Sequence, residues 1–508
     1  MPLKISDYEL ATLAYLGNLD DYKPRLSVLR LVGLSFLLFF AYLTFGVLYR
    51  RTNNMPDDFM DKYRLYFKKV VDDPNISAPE TLLKLLLKTR FFEPIGNMAL
   101  MANIAAPRYI FLLALLDKLL KRWAPGLSND APSLLSSGTE GVLSTEMGRE
   151  IWNLAKTVRS NPSLSKTLLD LAPDKALIAV RDQDDAGEFL IQLEAFLKKH
   201  GHRTLKEFEL NSVRWEEDPS PVISMVKNYL LADSDPEASE ARVDEQRQAL
   251  LKQVQEKLLE RPLEKQLGLR FKFITYIRNK TRYFIKLREN SRFYHIMGFY
   301  AVRKKILVAE KELMIKGALK CKDDIFYLTW PEVEDLQADI LTWGDVEDKI
   351  RSRRMNHIRL NKMRPPKTVG IKTEGAVSTE PTGNQMSGQA ASPGNYRGKA
   401  RVIMDPTTDA KIEPGEILVA PYTDPAWTPL FLTANAAVIE VGSYLSHAGT
   451  IAREYGMPCV VDVANCTSHI TTGDVIEVDG STGKVFLQVS NEEPEQNNAN
   501  DITRMRKS

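Results

Sequence analysis

Through the first two-thirds of the chain, apolar residues recur three and four positions apart, the spacing that gathers them on one face of an α-helix. The pattern runs from about Pro56 to Arg364, as in "DKYRLYFKKVV", "APETLLKLLLKTRFF", "AGEFLIQLEAFLKKHG" and "ALLKQVQEKLLERPLEKQL". Long stretches lack Gly and Pro, and the third of these runs ends on Gly201, a C-cap signal. The spacing predicts a helical domain over residues 52–364, with no internal repeat. Between Pro365 and Gly394 the pattern is lost: sixteen of thirty residues are Gly, Pro, Ser or Thr. Such a segment has too little apolar surface to order itself, which predicts a flexible linker over 365–390. Beyond it, "KARVIM", "GEILVAP", "AAVIEVG", "PCVVDV", "DVIEVDG" and "GKVFLQV" read as strands between turn residues, with one clear helix among them. These form a small domain over 391–490, and 491–508 reads as a polar, disordered tail.

The N-terminal tail, 1–25, leads into an apolar helix over 26–51. Its centre, Leu31 to Tyr49, is nineteen residues without a charge, close to the ~20 that cross a bilayer. It begins too late, behind Asp20 and Asp21, for a cleaved signal peptide. A membrane anchor and a helix buried in the helical domain both fit, and the flanking Arg30, Arg50 and Arg51 are too balanced to set an orientation.

At 508 residues the chain is too long for one core. A net charge of +2 gives no global attraction to nucleic acid. Arg270 to Ile306 does hold eleven Lys/Arg against one acid, Glu289, interleaved with aromatics. The favoured reading is an amphipathic helix with rings inward and charges outward, rather than a nucleic-acid surface. Three cysteines, Cys321, Cys459 and Cys466, form no CxxC, so a reducing, cytoplasmic setting with neither a disulfide framework nor a zinc site is expected. His200 and His202 in "KKHGHRT" lack a third ligand at useful spacing, so no metal is expected there. His202 and Arg203 stand as candidate contacts to an acceptor or a phosphate.

The most specific stretch is "GSYLSHAGTIAREYGMPCVV", Gly442 to Val461. Ser446 is a good N-cap, and "HAGTIAREYG" continues as a helix stopped by Gly456 and Pro458. Ala448, Ile451, Ala452 and Tyr455 share its buried face. His447 then sits part-exposed on the first turn, where unpaired backbone N–H groups and the helix dipole favour an anion. Gly449 would let that anion approach the backbone. A neutral imidazole there can accept a phosphoryl group; position alone also fits a residue that fills space.

The run from "ASPGNYRGKARVI" through "GEILVAPYTDPAWTPLFLTANAAVIEVGSYLSHAGTIAREYGMPCVVDVANCT" to "GDVIEVDGSTGKV" closely resembles the swivelling phosphohistidine domain of the PEP-utilising enzymes. That family includes pyruvate phosphate dikinase, phosphoenolpyruvate synthase and rifampicin phosphotransferase. The resemblance covers about Ala391 to Val489. It implies a β/β/α sandwich that moves between two active sites and is phosphorylated on His447, with Ser446 and Gly449 beside the phosphate. Asp424 and Trp427 match family positions that imply a role in holding the preceding loop. Leu445 stands where the dikinases commonly carry a regulatory threonine, and Gly442-Ser443 replaces a double glycine. "GHRTLKEFELNSVRWEEDPSPV", "LRENSRFYHIMGFYAVRKKIL" and "CKDDIFYLTWPEVEDL" resemble, more loosely, the helical region that holds the acceptor in rifampicin phosphotransferase and its relatives.

The family's ATP-grasp donor domain and PEP-binding barrel have no counterpart in the sequence, and no P-loop motif occurs. The expectation is a phosphotransferase component with a mostly α N-terminal part and a C-terminal swivelling domain. His447 would carry a phosphoryl group from ATP and Mg2+, on an ATP-grasp partner or missing region, to a small-molecule acceptor in the helical domain. The alternative is a non-catalytic, possibly membrane-anchored binding or scaffold protein that retains the fold.

Overall fold

A computed structural model describes residues 59–73, 75–82, 98–128, 130–138, 141–231, 235–260, 267–361, 363, 383–406 and 412–487. Segments 1–25 and 26–51, Leu31–Tyr49 among them, lie outside the described residues, as do 365–382 of the expected linker and the tail 491–508. Among the described residues no helix is long and apolar enough to cross a membrane.

The helices are α1 (Phe59–Asp72), α2 (Ala78–Leu82), α3 (Met98–Trp123), α4 (Ala131–Ser136), α5 (Leu143–Arg159), α6 (Pro162–Asp170), α7 (Pro173–Arg181), α8 (Gly187–His200), α9 (Ser220–Leu231), α10 (Pro236–Leu259), α11 (Leu269–Ile315), α12 (Trp330–Gln337) and α13 (Trp343–Asn361). The C-terminal part adds β1 (Gln385–Ser387), β2 (Gln389–Ser392), β3 (Asn395–Val402), β4 (Ile417–Ala420), α14 (Thr428–Thr433), β5 (Ala436–Ile439), α15 (His447–Tyr455), β6 (Cys459–Val461), α16 (Cys466–His469), β7 (Val475–Asp479) and β8 (Lys484–Leu487). The mostly helical N-terminal part followed by a mixed β-sheet is the predicted class.

Two boundaries differ from the sequence reading. The stretch Gln385–Ser392 was expected to be largely linker, yet it forms β1 and β2, paired antiparallel with β8 and β6. Small residues here serve close packing: a Cβ on Gly388 would lie 2.5 Å from the Val461 carbonyl oxygen. Nor is 52–364 one unit. Among the described residues, those within Leu120–Gly138, Ser224–Gly268 and Thr379–Ser508 group together, whereas those within Met1–Leu119, Thr139–Ile223 and Leu269–Ser378 form the other unit. Periodicity tells that α4 and α10 are helices, but not what their apolar faces cover.

In the first unit, α11 packs its C-terminal half on α12 and α13, with Leu313, Leu319, Ile325, Val333, Leu336, Val346 and Ile350 in one core. Its amphipathicity is less simple than expected. Phe273 and Tyr276 are exposed, and Arg303 is fully buried. The reason for the latter is a forked pair of bonds from Arg303 Nε and Nη2 to Glu217, at 2.7 and 2.6 Å.

In the second unit the eight strands run in the order β1-β8-β7-β3-β4-β5-β6-β2. Strands β3 to β6 pair in parallel. β4, β5 and β6 are buried at every position, as parallel strands covered on both faces require. β7 alternates instead, turning Ile476 and Val478 into the core. This sheet fixes the loops on either side of β5, which carry α14 and α15.

Candidate active site

Helix α15 begins where the sequence placed it. Ser446 is the N-cap in extended conformation, and Gly456 ends the helix in the left-handed region at φ 67°, which glycine adopts at little cost. The Met457 N–H closes the end on the Ala452 carbonyl at 2.8 Å, ahead of Pro458.

The helix is buried on more than the one face expected. His447 through Arg453 are all buried, because α15 packs against α10, α14, β2, β5 and β6. Around it, Ser133 Oγ and Tyr444 Oη lie 2.9 Å apart, and the Gly138 N–H donates to Glu454 Oε2 at 2.8 Å. His447 is therefore only 6% exposed rather than part-exposed. Its Nε2 lies 3.3 Å from Oγ1 of Thr428, the fully buried first residue of α14.

Ser446 is an N-cap by backbone, but its hydroxyl makes no capping bond. Its Oγ is buried without a hydrogen-bond partner. A buried hydroxyl left in that state costs about 1–3 kcal/mol, and a phosphoryl oxygen beside it would offset the cost. Gly449 is also closely packed: a Cβ there would meet the Tyr444 carbonyl oxygen at 2.8 Å and Arg453 Nη1 at 3.2 Å. Arg453 Nη1 donates to the carbonyls of Ala391 and Tyr444 at 2.8 and 2.9 Å, and its guanidinium lies 4.1 Å from the centre of the Tyr444 ring. It ties down the loop before the histidine.

Asp424 Oδ1 accepts from the Ala426 N–H at 2.9 Å, and the Trp427 N–H donates to the Asp424 carbonyl at 3.0 Å. The fully buried Trp427 ring follows, so this turn delivers Thr428 to the histidine. Thr428 was missed in the sequence reading, although "AWTPLF" carries a signal, a hydroxyl residue opening a helix ahead of Pro429. Cys459 is buried in β6, and burial pushes its thiol up to about 12, well away from nucleophile chemistry.

The other candidates, His202 and Arg203, lie in the first unit and are 5% and 3% exposed. Neither reaches a surface in this arrangement. Arg203 Nε donates to the buried Glu207 carboxylate at 2.9 Å, which also accepts from Arg292 Nη2 at 3.0 Å. His202 lies edge-on to Phe293, its ring centre 4.5 Å away, and its Nε2 has no partner. Burial, with Arg203 adjacent, pushes its pKa well below the usual imidazole range. His200 Nε2 meets Glu150 Oε2 at 3.0 Å, yet burial still outweighs that pairing and lowers its pKa. A desolvated imidazole stays neutral unless an acid is close enough to compensate.

The first unit also holds an open cavity of about 700 Å³, lined by Phe326, Tyr327, Trp330, Arg353 and His357 among others. Its wall is braced by Arg353, which donates to both oxygens of Glu332 at 2.6 and 3.1 Å. That arginine holds the Glu332 carboxyl down to about 2. Among the described residues no group of three or more His, Cys, Asp or Glu side chains is placed to hold a metal ion.

Residues 412–483 match the family described as the PEP-utilising enzyme mobile domain, and 100–289 match the rifampicin phosphotransferase fourth domain. The rifampicin phosphotransferase of Streptomyces sviceus is 30% identical over 410 residues, covering 78% of this chain and 44% of the relative. That of Bacillus subtilis is 30% identical over 414 residues, covering 79% and 45%. The prodigiosin synthesizing transferase PigC of Serratia marcescens is 30% identical over 401 residues, covering 75% and 43%. The chain thus spans less than half the length of these relatives. Its C-terminal region matches the mobile domain of the PEP-utilising enzymes, and its helical region matches the rifampicin phosphotransferase fourth domain.

Proposed function

We propose that the chain is the carrier part of a phosphotransferase. His447 takes a phosphoryl group from a nucleotide-bound donor site on an ATP-grasp domain and delivers it to a small-molecule acceptor held by the helical part. The observation that supports this is the histidine at the head of α15, beside the buried hydroxyls of Ser446 and Thr428, inside the stretch that matches the mobile domain.

In the loading step a ring-nitrogen lone pair forms an N–P bond. The P–O bond to the donor breaks, and its electron pair stays on the donor oxygen. In the unloading step an acceptor hydroxyl oxygen attacks phosphorus, the N–P bond breaks with its electron pair returning to the ring, and the hydroxyl proton passes to that ring nitrogen or to water. The protein's share is positioning and charge stabilisation. In this proposal the magnesium ion belongs with the nucleotide at the donor site. The ring-lined cavity of the first unit suits an acceptor with an apolar, ring-bearing body.

Labelling tests the reading. The purified chain with labelled ATP and Mg2+ is expected to stay unlabelled, and adding the ATP-grasp domain encoded in the same genome should label it. His447→Ala should lose that label while keeping its circular dichroism. Label retained by the folded variant would refute the carrier role. So would no label with the donor domain present, which would favour a non-catalytic scaffold.

A further inference from the structure

Helix α11 opens on a stripe of exposed apolar side chains. Leu269, Phe273 and Tyr276 are 60%, 42% and 56% exposed, and their spacing of four and three puts them on one face of the helix. Lys280 continues that face, its Nζ 6.0 Å from the centre of the Tyr276 ring and 5.4 Å from that of Tyr283. Lys272 stands exposed beside it. From Leu269 to Arg288 the sequence holds seven Lys/Arg and no acid. We infer that this face of α11 seats the first unit on an anionic lipid surface.

The chemistry of the stripe suits that occupant. Leucine and aromatic bodies enter the boundary between headgroups and acyl chains, while lysine ammonium groups on long stems stay with the lipid phosphates. Single-stranded nucleic acid would call for rings on which bases stack, yet Leu269, which offers no ring, is the most exposed of the three. The chain supplies a second argument. Leu31–Tyr49 is nineteen residues without a charge, about the length of a bilayer span, and α1 starts ten residues later. α1 runs alongside α11 in the same sense: Val70 shares a core with Ala301, and the Asp73 carbonyl, further along α1, accepts from Lys305, further along α11. The start of α1 therefore points toward the N-terminal half of α11, the half that carries the stripe. Each lysine beside an anionic surface strengthens binding about fivefold, which sets the scale of the test.

A photoactivatable phospholipid tests this on the full chain, with adducts mapped by peptide mass spectrometry. In vesicles of phosphatidylserine mixed with phosphatidylcholine, adducts should fall on Leu269–Lys280, about fivefold or more above those in pure phosphatidylcholine. Replacing both lysines, Lys272→Ser with Lys280→Ser, should bring the yield down to the phosphatidylcholine level. Leu269→Ser with Phe273→Ser should lose most of the adduct in a protein that still melts cooperatively. No adduct on that stretch, whether or not the chain floats with the vesicles, would overturn the proposal. So would equal adducts in the two kinds of vesicle, or folded variants that crosslink like the unaltered chain. A single-stranded oligonucleotide that displaces the vesicles and crosslinks to the same residues would overturn it too, making the face a nucleic-acid surface. Should a variant fail to fold, the two vesicle types compared on the unaltered chain still decide. His447 belongs to the other unit, so either outcome leaves the phosphoryl labelling result standing.

Discussion

A histidine in a protein interior can be packing or chemistry, and the buried histidines here have different neighbours. His447 has a threonine hydroxyl on Nε2 and an unsatisfied serine hydroxyl beside it. His200 and His202 instead sit among Phe196, Phe293, Glu150 and an Arg203–Glu207–Arg292 network. The second pair has a consequence for stability. Both rings have folded-state pKa values below the unfolded value of 6.5, chiefly through burial. The unfolded chain therefore binds these protons first, and stability that is complete above pH 6.5 is lost as pH falls below it. His202→Gln should reduce the slope of stability against pH, between about 6.5 and 5, by up to one proton, roughly 1.4 kcal/mol per pH unit. Denaturant melts at a series of pH values measure it. An unchanged slope would show that His202 is protonated in the folded protein.

Helix α15 was legible almost to the residue, because its cap residues and its small-residue face are local signals. The strands β4 to β7 were legible as well, as apolar runs and alternation between turns. What was not legible depends on distant partners. The burial of α15 by α10, the inclusion of α4 and α10 in the second unit, and the pairing of β1 and β2 leave no periodic trace. At the site, His447 and Ser446 were readable from one motif. Thr428 was not singled out, since its contact with His447 forms only when α14 and α15 meet. Nor was the close packing of Tyr444 and Arg453 against Gly449. The C-cap offers a test at this scale. Gly456 lies at φ 67°, and a Cβ there would come within 3.1 Å of Val243 Cγ2 on α10. Gly456→Ala should cost about 1–2 kcal/mol from the left-handed backbone alone, read as a lower denaturation midpoint. No loss would mean that α15 does not end in the left-handed turn described.

Across the whole molecule, the matches span most of the chain but less than half of each rifampicin phosphotransferase. Within the chain, residues 100–289 and 412–483 carry the two family matches. The central claim is that phosphate resides on His447 through an N–P bond. Its most direct measurement is site-resolved mass spectrometry under neutral conditions, after incubation with ATP, Mg2+ and the ATP-grasp domain. The account predicts one added phosphoryl group on the peptide carrying His447, stable in alkali, lost in acid and absent from His447→Asn. Phosphate on another residue, or an acid-stable linkage to Ser446 or Thr450, would contradict it.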